Sequence, residues 1–498
     1  MASREELHLL REARTGHLES QLKLGKLYLF GSKGLPKSIT TALHWLVRAA
    51  DQDSLLAKKL IGEHIPYDVI RNHPNRRQLE NWYRDALKHG VARAGLVVAQ
   101  ILLADIPISN AKRQEAIKLL EAAAHQKIGE AQWLLAELAG QHETYANMDD
   151  KTAYWVTLAA ESGIPDARSA LIEYSWNQKD YSIFLQHALP IAKEMLELRH
   201  RQEISVELDP QSIKLLVRCG IALAKTTHEI EMVQSLWETA AAHRNAEAAY
   251  QLGLWFAKMD ENGIRTTTGA TSTSFKKAVK WLRQAGDQGS PKAWYALALI
   301  YQKAEFSQRS MPDALNYLET AGNLGHPQAQ YELGMHAWRC RRDNENNDIK
   351  AIFWLQKAYG NGRKEAELML NKIATPANPA PWAVYSMEHL TPEIIASQPF
   401  LVARIELASI FGLSRPEALL LDIHQADQEH CLLVDIRNMY RHSRRRIILI
   451  RTSQQRQVIA RISQLFDKVD CSTKGPEGNY RQRQYRLKTL FPNLPKEI

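Results

Sequence analysis

The sequence predicts a mainly α-helical protein: an α/α solenoid of about nine helix pairs, followed by a small α+β domain. Three observations predict this fold. A pattern of the form A-x-x-W-L-x-x-A-A recurs mostly at steps of 36 or 37 residues, and its apolar positions have the spacing of one helix face. The recurrence stops at a proline-rich stretch, and short β-rich runs follow it.

The recurring pattern is found in nine copies. Eight are clear, and their first positions are Ala42, Leu79, Ala116, Thr152, Val233, Ala278, Ala314 and Ala351. A degenerate ninth copy begins at Tyr181, and an insertion, LRHRQEISVELDPQ, follows it within the one gap of double length. Because one helix pair cannot bury its apolar stripe alone, we expect successive pairs to stack against each other.

Five tryptophans occupy the same position of the pattern: Trp45, Trp82, Trp155, Trp281 and Trp354. Such a series is typical either of an aromatic ladder that binds a ligand or of a packed core between successive helix pairs. The other residues on the same stripe are leucine and alanine, and this composition favours core packing.

A glycine follows the first helix of most copies and predicts the turn that ends it. Glycine is favoured there because it adopts left-handed backbone conformations without strain. The glycines of four such turns are Gly163, Gly289, Gly325 and Gly362. Three other copies keep the alanine that follows four residues later but replace the glycine, with Asp53, Lys127 and Arg244.

Three segments, KAVKWLRQAGDQGSPKAWYALALIYQ, DALNYLETAGNLGHPQAQYELGMHAW and IKAIFWLQKAYGNGRKEAELML, resemble Sel1-like repeats, which are related to the tetratricopeptide repeat. The resemblance covers roughly residues 15–373. It implies an α/α solenoid that serves as an adaptor or scaffold for protein complexes, frequently in bacteria. It also implies no catalytic residues in the repeats.

The organisation that we predict has three parts. Residues 1–374 form the Sel1-like solenoid, residues 375–382 (TPANPAPW) form a proline-rich linker, and residues 383–498 form a basic α+β domain. In this last part we expect two helices separated near Gly412–Pro416, two short strands at 431–436 and 446–450, and an amphipathic helix in SQQRQVIARISQLFDKV.

Positive charge is concentrated near the C-terminus. Residues 437–498 contain fifteen Lys and Arg against four Asp and Glu, whereas the whole chain carries a net charge of +9. Three interpretations remain open for this segment: a solvated basic surface, a nucleic-acid-binding surface, or a surface for an acidic protein or an anionic membrane. The candidate patch consists of Arg441, Arg444, Arg445, Arg446, Arg481, Arg483 and Arg486.

One cluster contains residue types that carry chemistry. The stretch LDIHQADQEHCLLVD brings together Asp422, His424, Asp427, His430, Cys431 and Asp435, which are the ingredients of a metal or hydrolytic site. No established ligand spacing fits these residues, and this favours a polar loop between a helix and a strand. No nucleotide-binding loop or hydrolase motif is found elsewhere in the sequence. We therefore predict no catalytic residue, no cofactor and no metal.

The remaining features concern the compartment. No run approaches the roughly 18 apolar residues of a membrane helix, and the charged start of the chain does not resemble a secretory signal. The four cysteines are scattered, which favours reduced thiols over a disulfide framework. These features predict a cytoplasmic protein without a transmembrane segment.

Taken together, the sequence predicts a non-enzymatic scaffold or adaptor. Its solenoid surface binds protein partners, and its basic C-terminal domain supplies a second contact, either with an acidic protein or with nucleic acid. The alternative is a nucleic-acid-binding regulator, in which the basic domain is the effector and the solenoid recruits partners.

Overall fold

The structure is a computed structural model of the 498-residue chain. It describes residues 4–32, 34–104, 108–140, 148–200, 208–226, 229–267, 269–472 and 474–495. The chain forms two compact units. The first consists of Met1–Val206 with Arg218–His228, and the second consists of Glu207–Val217 with Glu229–Ile498.

The first thirteen helices belong to the first unit, except that the last of them contributes residues to both units. Their bounds are α1 (Arg4–Arg14), α2 (Leu18–Phe30), α3 (Ile39–Ala50), α4 (Leu55–His64), α5 (Tyr67–Ile70), α6 (Arg76–Lys88), α7 (Ala92–Leu103), α8 (Asn110–His125), α9 (Gly129–Ala139), α10 (Asp150–Glu161), α11 (Pro165–Asn177), α12 (Tyr181–His200) and α13 (Pro210–Thr226).

The second unit contains the later helices and the two strands. The repeat helices are α14 (Ile230–Ala242), α15 (Ala246–Ala257), α16 (Phe275–Asp287), α17 (Pro291–Gln302), α18 (Met311–Asn323), α19 (Pro327–Arg339), α20 (Asn347–Gly360) and α21 (Glu365–Ile373). The elements that follow are α22 (Pro381–Glu388), α23 (Pro392–Ser397), α24 (Pro399–Phe411), α25 (Arg415–Leu420), α26 (Ile423–Ala426), β1 (Cys431–Val434), β2 (Arg446–Leu449), α27 (Ser453–Leu465) and α28 (Tyr480–Leu490).

The predicted solenoid of about nine helix pairs is confirmed. Each of the nine copies begins a helix that is followed by a second one, from α3 and α4 to α20 and α21. The predicted insertion LRHRQEISVELDPQ lies mostly outside the described residues. Its first residues end α12, and its last residues begin α13.

The turn between the two helices of a pair requires a left-handed residue. Gly163, Gly289, Gly325 and Gly362 have φ between 88° and 91°. The residues that replace glycine in three copies keep the left-handed conformation, with φ of 58° at Asp53 and Arg244 and 62° at Lys127. The geometry of the turn is therefore retained even in these three copies, where the left-handed conformation of a residue with a Cβ atom costs about 1 kcal/mol.

A small residue lies where the second helix of one pair meets the first helix of the next pair. A Cβ atom added at Gly25 would lie 2.6 Å from the Leu46 side chain, and one added at Gly334 would lie 2.7 Å from Leu355. Gly253 has the same relation to Leu282. The helices that meet at these three sites belong to successive pairs: α2 with α3, α15 with α16, and α19 with α20. Their contacts are among the most extensive between the described helices. The absence of a side chain thus lets two helix backbones approach closely.

A buried glutamine connects consecutive pairs at three places. The side-chain amide of Gln330 donates to the carbonyl of Gly322 at 2.8 Å and accepts from Asn361 of the next pair at 2.9 Å. Gln132 makes the same two kinds of bond, with the Ala124 carbonyl and the Ser162 hydroxyl. Gln21 does so with the Ala13 carbonyl and Gln52. These bonds satisfy a helix-end carbonyl and fix the position of the neighbouring pair.

The five tryptophans differ in burial. Trp45, Trp82 and Trp155 are buried, whereas Trp281 and Trp354 are half-buried. Trp354 packs on the cluster between α17, α18 and α19, and the Lys280 amine lies 5.5 Å from the ring centre of Trp281. Trp354 therefore packs on the preceding helix pairs, and none of the five indole rings is fully exposed.

The region after the repeats contains the two predicted strands, which pair as an antiparallel hairpin with Cys431 opposite Leu449 and Val434 opposite Arg446. Both faces of the hairpin are buried. One face, with Leu432 and Ile448, belongs to a core formed with α22–α28. The other face packs on the last helix pair, α20 and α21. Since side chains alternate along a strand, this double burial explains why the two runs are apolar throughout.

The ends of the proline-rich stretch 375–382 are hydrogen-bonded. The amide of Thr375 donates to the carbonyl of Ile447 at 2.8 Å, next to a parallel bridge between Thr375 and Ile448. The indole of Trp382 donates to the carbonyl of Leu413 at 3.1 Å. The predicted helix break is also present: Gly412 is left-handed, and Ser414 forms a capping box with Glu417 at the start of α25.

A series of glycine substitutions tests the turn and the close helix approach. Gly362→Ala should destabilise the fold by about 1 kcal/mol, because the site has open space but a left-handed φ. Gly334→Ala should cost about 1–3 kcal/mol through its clash with Leu355. The matched control is Gly360→Ala, at an open helical site, which should stabilise by about 0.5–1 kcal/mol. Urea unfolding measures all three, and equal effects would contradict this account.

Replacing the glutamine between pairs tests its role. Gln330→Met keeps the length of the side chain but leaves the Gly322 carbonyl and the Asn361 amide without this partner. We expect a loss of about 1–3 kcal/mol in the free energy of unfolding. Gln251→Met is the control, because this glutamine makes only an exposed bond within its own helix. A loss at Gln330 no larger than that at Gln251 would show that the buried amide does not stabilise the stack.

Candidate interaction surfaces

An apolar groove lies between α18 and α19 and is closed at one end by Gln302 of α17. Its volume is about 670 Å³. Met311 and Leu315 line it from α18, and Tyr331 and Met335 line it from α19. Residues three or four apart lie on one face of a helix, so each helix contributes a short apolar stripe. Met311 is 55% exposed at the mouth of the groove.

Polar groups lie at the edges of this groove. Glu332 accepts a hydrogen bond from the Tyr295 hydroxyl at 2.6 Å and another from Gln328 at 2.9 Å, so its charge is held in place. His336 and Arg339 are exposed, and Arg339 forms no ion pair with any residue that the structure describes. The groove therefore combines an apolar floor with one fixed carboxylate and a basic edge.

His326 caps α19, one of the two helices that form the groove. Its ring stacks on Tyr295 at 4.5 Å, and its Nδ1 accepts from the amide of Ala329 at the start of α19. Burial, assisted by the charge of Lys292, lowers the pKa of His326 to about 4. The imidazole is therefore neutral at pH 7 and serves as a helix cap.

The seven arginines of the candidate basic patch have different environments. Arg445 donates to Asp348 at 2.9 Å and to Asp435 at 3.3 Å, and Arg446 donates to both oxygens of Glu417. These two arginines join the hairpin to α20 and to α25 respectively. Their charge is therefore used in contacts within the fold.

Arg483 is fully buried and is bound by backbone carbonyls. It donates to the carbonyls of Leu419 and Cys471 and to those of Ser472 and Gly478. Arg404, also buried, forms a bidentate pair with Glu477 at 2.8 and 2.6 Å. Arg486 is half-buried and donates to the backbone carbonyl of Glu477. Arg483 thus stabilises the C-terminal core instead of presenting its charge to solvent.

The remaining three arginines, Arg441, Arg444 and Arg481, are exposed and form no ion pair among the described residues. The rings of Tyr440 and Tyr480 lie 6.0 Å apart, so the loop that carries Arg441 approaches the start of α28, which carries Arg481. The exposed part of the candidate patch is therefore smaller than the sequence predicts.

The cluster from Asp422 to Asp435 consists of residues with structural partners. Asp422 caps α26, Asp427 forms a bidentate pair with Arg456, and hydrogen bonds from Arg437 lower the pKa of Asp435 to about 2. His424 donates to the carbonyl of Phe466, and His430 donates to that of Ile349. Burial raises the pKa of the Cys431 thiol to about 12. Within the described residues, no group of three His, Cys, Asp or Glu side chains has the arrangement of a metal site.

Comparison with known proteins identifies the helix pairs. The Sel1 repeat family matches five segments, residues 18–54, 129–164, 246–290, 291–326 and 327–362. The chain carries Sel1 repeats. Each matched segment joins the second helix of one pair to the first helix of the next, as in α19 and α20. The Sel1 repeat is thus the closely packed unit whose helices meet at the small residue.

Individual relatives are similar over different lengths. Residues of the chain are 36% identical over 52 residues to the ERAD-associated E3 ubiquitin-protein ligase component HRD3A of Arabidopsis thaliana, and this match covers 10% of the chain. The chain spans about 8% of the length of that curated relative.

Two solved structures with Sel1 repeats are also similar. One is c5321, a protective antigen of uropathogenic Escherichia coli with an SLR fold, at 19% identity and a TM-score of 0.36, with 99% of each chain covered. The other is a Sel1 repeat protein from Oxalobacter formigenes, at 19% identity and a TM-score of 0.25, covering 74% of this chain and 90% of that one. Among the described residues, no helix has the length and apolar character that crossing a bilayer requires.

The apolar groove was not predicted from the sequence. Met311 precedes the repeating stripe of α18, and Met335 occupies a position where other repeats have Glu63, Glu137 or Glu173. Two other repeats have Leu254 and Leu299 at this position, so the alignment of the repeats does not mark Met335 as distinctive.

His326, the buried cap of α19, predicts that the stability of the fold depends on pH. The unfolded chain takes up a proton at His326 near pH 6.5, whereas the folded state resists protonation until about pH 4. The free energy of unfolding should therefore fall as the pH is lowered from 6.5 toward 4. His326→Asn keeps a capping side chain without the titration and should reduce this fall. Urea unfolding of both proteins at pH 7.5 and pH 5 measures the difference, and identical pH dependences would contradict the assignment.

Proposed function

We propose that this Sel1-repeat protein is a non-enzymatic cytoplasmic scaffold that binds protein partners through its repeats. Sel1-repeat proteins generally mediate protein–protein interactions. The observation that carries the proposal for this chain is the groove between α18 and α19, where Met311, Leu315, Tyr331 and Met335 present an apolar floor in an otherwise well-packed stack. A groove of this kind suits the apolar anchors of a partner helix or extended peptide.

The basic edge of the groove sets the charge of the partner. His336 and Arg339 are exposed beside the apolar floor, and the carboxylate of Glu332 is already bonded to Tyr295 and Gln328. A partner segment with apolar anchors flanked by acidic residues would satisfy both features. We therefore assign an amphipathic acidic segment of a protein as the ligand of this groove.

Two further observations support the scaffold. The ionisable residues of the Asp422–Asp435 cluster are occupied in caps, ion pairs and carbonyl contacts, which leaves no acid–base pair arranged for catalysis there. The four cysteines are free, as expected in a reducing compartment. In the organisation that we propose, residues 1–374 form the solenoid, 375–382 link it to a basic domain of residues 383–498, and this domain supplies the second contact.

Photocrosslinking tests the groove. In the full-length chain, p-benzoylphenylalanine at Met335 should capture a discrete protein partner in cells. The same group at Leu368, which is 72% exposed on α21, is the control and should not capture that partner. Met311→Asp should then reduce the yield of the Met335 crosslink about tenfold, because a charge replaces an apolar contact at the mouth of the groove.

The matched control for the substitution is Leu368→Asp, which places the same charge on an exposed apolar position outside the groove. It should leave the Met335 crosslink unchanged. Equal capture from Met335 and Leu368, or equal loss with both aspartate variants, would reject the groove as the partner site.

A further inference from the structure

A second groove lies on the C-terminal region, between residues 474–478 and α28. Its volume is about 860 Å³, and Lys474, Arg481, Gln482, Tyr485 and Arg486 line it. Arg481 and Tyr485 are four residues apart, and Lys488 follows three residues later, so these three share one face of α28. The face is therefore cationic along its length, with an aromatic ring in its middle.

The positive charge of this groove is not neutralised by the fold. Lys474, Arg481 and Lys488 are exposed and form no ion pair among the described residues. The single carboxylate in the lining belongs to Glu477. This side chain is buried, and its two oxygens accept hydrogen bonds from Nε and Nη2 of Arg404. Arg486 donates to a carbonyl, which bears no net charge. Three cations of the lining, together with Lys488 on the same face of α28, thus lie beside a single anion that is already paired.

Tyr485 is the second feature of the groove. Its side chain is 71% exposed, and in the described part of 466–495 no other large apolar side chain is exposed. A single exposed ring between cations differs from the apolar centre of a protein interface, where charged residues are depleted. It also differs from a membrane-binding helix, which presents several apolar side chains below its cations. An exposed ring beside backbone-binding cations is the arrangement on which bases of a single strand stack.

We propose that this face, formed by Lys474, Arg481, Tyr485, Arg486 and Lys488, binds single-stranded nucleic acid. The four cations hold successive phosphates, and a base stacks on the ring of Tyr485. Binding of this kind depends little on base sequence, because every base has a π face and every nucleotide has a phosphate. This function is independent of the protein-binding groove between α18 and α19, and each can fail without the other.

The experiment measures binding of the full-length protein to a fluorescein-labelled oligothymidylate of about 12 nucleotides by fluorescence anisotropy. Neutralising four phosphates of a single strand gives a salt slope near −3, so the affinity should fall about 50-fold between 50 and 200 mM salt. The double variant Arg481→Gln, Lys488→Gln should reduce this fall to about sevenfold, because two phosphate contacts are lost.

Substitutions at Tyr485 test the stacking of a base separately from the binding of phosphates. Tyr485→Ala should weaken binding about tenfold with the salt slope unchanged, whereas Tyr485→Phe should bind like the wild-type protein. The controls are Tyr359→Ala, which removes a ring that is 46% exposed on α20, and the double variant Lys276→Gln, Arg342→Gln, which removes two exposed cations from the repeats. Neither control should change the affinity or the slope.

Three outcomes would overturn the proposal. The first is the absence of oligonucleotide binding at 50 mM salt. The second is an affinity that Tyr485→Ala leaves unchanged, together with equal binding to polyglutamate, which would assign the face to an acidic protein. The third is preferential binding to vesicles that contain phosphatidylserine, which would assign it to an anionic membrane surface.

Discussion

The close approach of two helix backbones at each Sel1 repeat is the constraint on which the rest of the solenoid depends. Where Gly25 or Gly334 faces a leucine of the next helix, no room exists for even one methyl group. This contact fixes the distance between the helices, and the buried amide of Gln330 in α19 can then reach both the end of α18 and the next pair. A left-handed turn follows the first helix at Gly163, Gly289, Gly325 and Gly362, and it directs the chain back at a fixed angle.

A stack of this kind must also end, and the hairpin provides the end. The last helix pair has no following repeat to cover its apolar face, and β1 and β2 cover it with Cys431, Ile447 and Leu449. Arg445 adds ion pairs to Asp348 of α20 at the edge of this contact. Part of the positive charge near the C-terminus therefore forms ion pairs that hold the hairpin on α20. The net charge of the segment is larger than the charge that is available to bind a ligand.

The parts of the structure that sequence predicted are those that repetition or local rules determine. Nine copies of one pattern averaged out local exceptions, so the helix pairs were predicted even where Lys127 or Arg244 replaces the glycine of the turn. The environments of individual arginines were not predictable, because they depend on distant segments. Arg483 binds carbonyls contributed by residues 419, 471, 472 and 478, and Arg404 lies within an apolar helix that gives no sign of its partner Glu477. The groove beside Met335 was missed because apolar residues also occupy this position in other repeats, as Leu299 does.

The two candidate surfaces belong to the same compact unit, and this has a consequence for how they would act together. Two binding sites joined by a flexible linker have an effective concentration that is set by linker length. Here the stretch 375–382 is bonded near both ends, by the amide of Thr375 and the indole of Trp382, and the hairpin packs directly on α20 and α21. The separation of the groove on α18 and α19 from the cationic face of α28 is therefore fixed by packing. A protein and a nucleic acid bound at these sites would be held in one defined geometry, which favours partners whose own spacing matches it and excludes those whose spacing does not.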